Sequence, residues 1–239
     1  MLLDSELNKF NEFYGKYKID CQYIEPSSEL PYLSDSLHEF IINSWRNTVP
    51  VFISAQTGMG KNYFVQHHLT RHLAYENEIN ETFGKILLLS NRVALTRQGK
   101  KQLAEILLDI TGDNNIKRME YFTEEGIDKL YIDFGIITVC SYQQLYNKLK
   151  HKEGRKKLQE QNFQYVIFDE CHFFTADSTF NRDTQYILRH SIETFQNSTR
   201  IYMSATLEEV FIVSRRKTPP FRAGDVRRKK TCILKKEFV

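Results

Sequence analysis

The chain has 239 residues, enough for one large domain or two small ones with a sizeable buried core. With 41% apolar and 26% charged residues it has the balance of a globular protein, and no apolar run approaches the roughly 18 residues of a membrane span. The formal charge of +3 is uneven: residues 215–239 carry ten Lys or Arg against two acids, a local +8 that leaves the remainder at −5. Cys21, Cys140, Cys171 and Cys232 are widely separated and form no CxxC pair, which excludes a zinc framework and fits reduced thiols in the cytoplasm. The acid-bearing start MLLDSELNKF does not read as a secretion signal.

In chain order, residues 1 to about 48 read as mostly helical, with a loop at EPSSELPYLSDS and a helix through SLHEFIINSW. VPVFISA is short, apolar and β-branched, the pattern of a buried strand. A Gly-containing loop follows, then a helix from KNYFVQHHLTRHLAY. KILLLS, GIITVCS, YVIFDE and RIYMSAT read as four more buried strands. Between them, NRVALTRQGKKQLAEILLDI carries a helical apolar stripe and YQQLYNKLKHKEGRKKLQEQ is polar and helical. Continuous apolar strands alternating with helices indicate an α/β fold, a parallel sheet covered on both faces. Such sheets bind ligands at the carboxyl ends of their strands. The expected organisation is an N-terminal helical extension over 1–30, an α/β domain over 31–212, and a basic tail over 213–239, disordered or truncated.

Three stretches at strand ends carry chemistry. In AQTGMGKN, Gly58 and Gly60 permit a turn whose N–H groups point at an anion, and Lys61 reaches phosphate oxygens. An ordinary strand–turn–helix connection would show the same glycines, and Asn62 stands where such loops place Ser or Thr. In YVIFDECH, an apolar strand delivers Asp169 and Glu170; the plain alternative is a solvated acidic turn. Lys61, 108 residues upstream of Asp169 with strands between, favours the metal and water-activating reading. In MSAT, Ser204 and Thr206 follow a strand 34 and 36 residues beyond Glu170. Alone that stretch is uninformative; in this order it completes a set.

AQTGMGK, DECH and SAT together resemble motifs I, II and III of superfamily 2 helicases, in the DExH (DEAD/DEAH-box) branch that includes the helicase subunits of type III restriction enzymes. LLLSNRVALTRQ resembles motif Ia and TVCSYQQL motif Ib, and the likeness covers roughly residues 30 to 210. The resemblance implies a RecA-like P-loop NTPase domain that binds ATP with Mg²⁺ and couples hydrolysis to nucleic acid. It implies that Thr57, Gly58, Gly60, Lys61 and Asn62 hold phosphates and metal, that Asp169 serves the metal and Glu170 the water, and that His172 links the nucleotide to motif III. Ser204 and Thr206 would couple nucleotide state to nucleic-acid grip. Arg92, Gln98 and Ser141 would touch the nucleic-acid backbone, contacts that carry no sequence preference. DNA is preferred over RNA because of the restriction-enzyme likeness.

There are departures from the pattern. Asn62 offers a carbonyl oxygen, a hard ligand but one bond farther out than a hydroxyl. SDSLHEFIINSW lacks the Gln with which many relatives read adenine. Only 33 residues follow Thr206, so the second RecA-like domain and its arginine finger are expected from elsewhere, for example a separate chain. The alternative is a nucleotide- or nucleic-acid-binding module without efficient turnover. His68 and His72 have a metal-binding spacing, but Leu69 stands where HExxH needs Glu, and two histidines on a polar helix face are expected instead. The basic tail is the stronger nucleic-acid candidate than KLKHKEGRKKLQ, whose charge reads as a solvated helix face.

Overall fold

The computed structural model describes residues 21–24, 32–37, 39–47, 50–55, 58–90, 97–111, 131–172, 174, 182–205 and 231–236. Eight strands form one sheet: β1 (Cys21–Ile24), β2 (Val51–Ala55), β3 (Lys85–Ser90), β4 (Tyr131–Asp133), β5 (Ile137–Ser141), β6 (Phe163–Asp169), β7 (Thr199–Ser204) and β8 (Thr231–Lys236). Their spatial order is β1-β8-β2-β7-β6-β3-β5-β4. Every pairing is parallel except β4 with β5, so the antiparallel strand lies at an edge.

The helices are α1 (Leu33–Ser36), α2 (Glu39–Ser44), a continuous α3 over 61–80, α4 (Arg97–Thr111), α5 (Tyr142–Lys150), α6 (Lys152–Glu160) and α7 (Arg182–Thr194). Both faces of the sheet are covered. On one, Ile53, Ile86, Ile167, Ile201 and Met203 pack with α1–α4 through residues such as Leu37, Ile42, Phe64, Leu69 and Leu107. On the other, Phe52, Leu87, Leu89, Val166, Phe168 and Tyr202 pack with α5–α7 through Leu145, Leu158, Leu188 and Ile192. The period of two along each strand assigns neighbours such as Phe52 and Ile53 to opposite layers. No helix among the described residues is long and apolar enough to cross a membrane.

The five strands read from sequence are present, and several other features differ from expectation. Cys21–Ile24, within the stretch read as a helical extension, is a strand. Thr231–Lys236, within the stretch read as a tail beyond the domain, pairs with both β1 and β2 inside the sheet. The segment SLHEFIINSW is not one helix: Leu37 leaves helical geometry at φ −96°, ψ 82°. The long polar helix after β5 breaks at His151 (φ −105°, ψ 135°) into α5 and α6. Gly154 sits so close to the Lys148 carbonyl that a Cβ there would clash, so the two short helices fold tightly together.

The helix after the Gly-containing loop holds a further departure. Residues Phe64–Leu69 form a π-helical stretch, and Thr70 closes it with its N–H and its hydroxyl (2.8 Å), both on the Val65 carbonyl. The wider turn shifts the helix phase, so His68 is exposed while His72 is buried. The two histidines therefore do not share a polar face. His72 instead packs beside Glu76, Nε2 to Oε1 at 3.4 Å.

Candidate nucleotide site at the strand ends

The strand order brings β2, β7 and β6 side by side. Their registers align the ends: Ser54 lies opposite Ser204, and Asp169 opposite Met203. The loops that follow these three strands therefore meet at one place, although their residues are up to about 150 positions apart in sequence.

After β2, Gly58 and Gly60 have φ of 87° and 79°. Both lie in the region that L side chains avoid, so the turn requires glycine here. A Cβ at Gly58 would meet nothing within 4 Å, so an approaching group has room at the turn. Gly60 precedes the first turn of α3, and its carbonyl accepts from Phe64 N at 2.8 Å. Met59 is buried, and its carbonyl accepts from Leu33 N at 3.0 Å, which ties the loop to α1.

Lys61 is 8% exposed. Its ammonium donates to the Ala55 carbonyl at 2.7 Å and lies 4.0 Å from Glu170 Oε1. Burying this cation is unfavourable unless anionic or carbonyl oxygens face it, and both are present. Asn62 is exposed in the same turn.

After β6, Asp169 is partly buried. Burial, and then the neighbouring Glu170 charge, raise its pKa to about 6 against a smaller opposing effect of Lys61. Glu170 follows at φ 51°, left-handed geometry for a residue with a Cβ. Its second carboxylate oxygen lies 3.2 Å from His172 Nδ1, and the same nitrogen lies 3.0 Å from Ser204 Oγ at the end of β7. Ser204 is fully buried. The backbone reinforces this junction, because Cys171 N donates to the Met203 carbonyl at 3.0 Å. Lys61, Glu170, His172 and Ser204 thus form a continuous polar chain across three strand ends.

The donor set fits a nucleotide with a divalent cation. A glycine turn leads into a helix, a buried ammonium stands beside it, and the adjoining strand ends in a carboxylate whose charge Lys61 only partly offsets. The last is what a metal ion would relieve.

The sequence profile of the family "type III restriction enzyme, res subunit" matches residues 7–209. The chain belongs to this family. Its fold is that of the first RecA-like, ATP-binding domain of superfamily 2 helicases. The crystal structure of the DUF1998 helicase MrfA is similar at a TM-score of 0.51 and 14% identity, over 95% of this chain and 32% of that one. The structure of Mss116p with its NTE and C-tail deleted, bound to ssRNA and AMP-PNP, is similar at 0.51 and 14%, over 87% of this chain and 40% of that one. At such identities the likeness is one of fold, and the chain spans well under half of either protein. No curated protein matches the sequence.

Of the residues assigned from the res-subunit resemblance, Gly58, Gly60, Lys61, Asn62, Asp169, Glu170, His172 and Ser204 gather at the strand ends just described. Ser141 lies two strands from β6, at the end of β5, where its hydroxyl caps α5 by accepting from Gln144 N at 3.2 Å. Gln98 falls in the first turn of α4, and its side chain lies outside the described residues, as do Thr57, Arg92 and Thr206. Sequence reasoning missed Tyr142, whose hydroxyl donates to the Asp169 carbonyl at 2.9 Å. Its only signal was adjacency to Ser141.

Proposed function

We propose that this domain binds ATP with Mg²⁺ at the ends of β2, β6 and β7 and couples its hydrolysis to a grip on nucleic acid, DNA in preference to RNA. The observation that carries the reading is the convergence of buried Lys61 with Glu170 at 4.0 Å and with Asp169, from elements far apart in sequence. Family membership supports the same reading, and the restriction-enzyme character of the family supports DNA.

In this reading the N–H groups around Gly58 and Gly60, with Thr57, hold the phosphates, and Lys61 exchanges its bond to the Ala55 carbonyl for phosphate oxygens. Asp169 and Asn62 would hold the metal, which when bound would offset the negative charge of the phosphates. Glu170 orients the attacking water and takes its proton as the bond to the bridging oxygen breaks. His172 and Ser204 carry the state of Glu170 to the end of β7, and from there to Thr206. Ser141, Arg92 and Gln98 hold the nucleic-acid backbone; Ser141 keeps its O–H as a donor because the α5 cap uses only its oxygen as acceptor. A second RecA-like domain would complete the cleft.

The test is phosphate release with and without single- and double-stranded DNA and RNA, with Glu170→Gln as control. Release that is stimulated most by DNA and lost in the control is expected. Release unaffected by Glu170→Gln would overturn the role of this site.

A further inference from the structure

We infer that Tyr142 is a positioning residue for Glu170, acting through the peptide group between Asp169 and Glu170. The inference rests on the nucleotide-hydrolysis reading above and assigns it a residue outside the loops that carry the chemistry.

The register of β6 with β3 stops at the pair Leu89 and Phe168, so the sheet on that side gives out before Asp169. The Asp169 carbonyl is taken up by the Tyr142 hydroxyl at 2.9 Å. Two residues on, the Cys171 N–H donates to the Met203 carbonyl at 3.0 Å. The peptide is therefore held at its carbonyl, and the chain beyond it at Cys171. Rotation of the peptide plane is coupled to φ of Glu170, which stands at 51°. A non-glycine residue leaves this region readily unless its surroundings hold it there. From it, the carboxylate reaches Lys61 at 4.0 Å and His172 at 3.2 Å.

The hydroxyl is a dependable pin. Tyr142 is 2% exposed, so water does not compete for its hydroxyl. Its ring is held edge-on against Phe174, centroids 5.1 Å apart, and Phe174 in turn meets Phe168 at 5.8 Å. Tyr142 is also the first residue of α5 and follows the capping Ser141. A shift of α5 therefore moves the pin, which links the strand end assigned to nucleic acid with the acid assigned to water.

A purely structural bond would make the same contact, anchoring α5 to β6, so the test must separate the two. Tyr142→Phe keeps the ring and removes only the hydroxyl; Phe195→Leu disturbs the packing of the same layer against Phe163, away from the hydroxyl. Single-turnover and steady-state ATP hydrolysis are measured on the full chain with Mg²⁺ and DNA, alongside the thermal midpoint. For Tyr142→Phe, kcat should fall about 10- to 100-fold, the loss expected of a misplaced catalytic group, with KM for ATP little changed. Phe195→Leu should lower the thermal midpoint and leave kcat close to that of the unsubstituted chain. An undiminished kcat in Tyr142→Phe, or an equal loss in both variants, overturns the inference. An unsubstituted chain that never turns over ATP overturns the reading beneath it, and the inference with it.

Discussion

The two faces of the sheet and the carboxyl ends of β2, β6 and β7 are built on opposite terms. On the faces, each residue is where folding alone would put it: branched and aromatic side chains, fully buried, in two layers that follow the period of the strands. At the strand ends, several residues are where folding alone would not put them. Lys61 is a buried cation, Asp169 carries a desolvated charge, and Glu170 sits at positive φ. The difference teaches where to look for function in a domain without a bound ligand. Stability is concentrated where local preference and packing agree, and sites appear where they conflict.

This contrast can be broken from either side. Truncating the faces should cost stability. Phe168 is fully buried and stacks on Tyr202 at a centroid distance of 4.7 Å. Phe168→Ala should destabilise the domain by about 3–5 kcal/mol in chemical denaturation, through lost burial and the cavity left behind. A loss near zero would mean that this layer is not packed as described.

Removing charge from the strand ends should do the reverse. The Asp169 carboxyl has a folded-state pKa of about 6, above the ordinary carboxylate range. Between the two values the folded chain keeps a proton that the unfolded chain has released, so stability falls as pH rises through that window. The full cost is present above about pH 6 and absent below about pH 4. Without metal or nucleotide, Asp169→Asn should therefore stabilise the domain above pH 6, by on the order of 2–3 kcal/mol. The gain should fade on acidification, as denaturation midpoints across that range would record. A gain independent of pH would locate its cause elsewhere.

Smaller effects sharpen the comparison. Glu170→Asn places at φ 51° a residue that tolerates left-handed geometry, and should add about 1 kcal/mol to stability while abolishing turnover. Stability that drops instead would show that the ion pairs of Glu170 outweigh its backbone strain. Asn62→Thr exchanges an amide for a shorter-reaching hydroxyl, and should lower severalfold the Mg²⁺ concentration that half-saturates ATP binding. A rise in that concentration would mean that the amide is the better ligand in this loop.

What the sequence disclosed follows the same division. β2, β3, β5, β6 and β7 were legible because each is a continuous apolar run, as strands buried on both faces must be. β1, β4 and β8 were not, since they lie in the outer parts of the sheet, and TCILKK mixes apolar with basic residues. α7 carries a stripe of Ile187, Leu188 and Ile192 that escaped a reading centred on the motifs. The break at Leu37 places that side chain in the core, and the one at His151 brings Gly154 against the Lys148 carbonyl, neither of which a helical period reveals. The π-helical stretch leaves no trace in a pattern read at a fixed helical period. In the site, the residues of the loops were legible as types in order. The bond from Tyr142 to a main-chain carbonyl was not, because an acceptor on the backbone has no sequence signature.

The most direct measurement is a calorimetric titration of ATP into the chain with and without Mg²⁺, repeated on Lys61→Ala. The account predicts binding strengthened by Mg²⁺ in the unsubstituted chain and none measurable in the variant, whose fold is retained. Equal affinity in the two chains would contradict it, because the buried ammonium beside Glu170 would then have no part in holding the nucleotide.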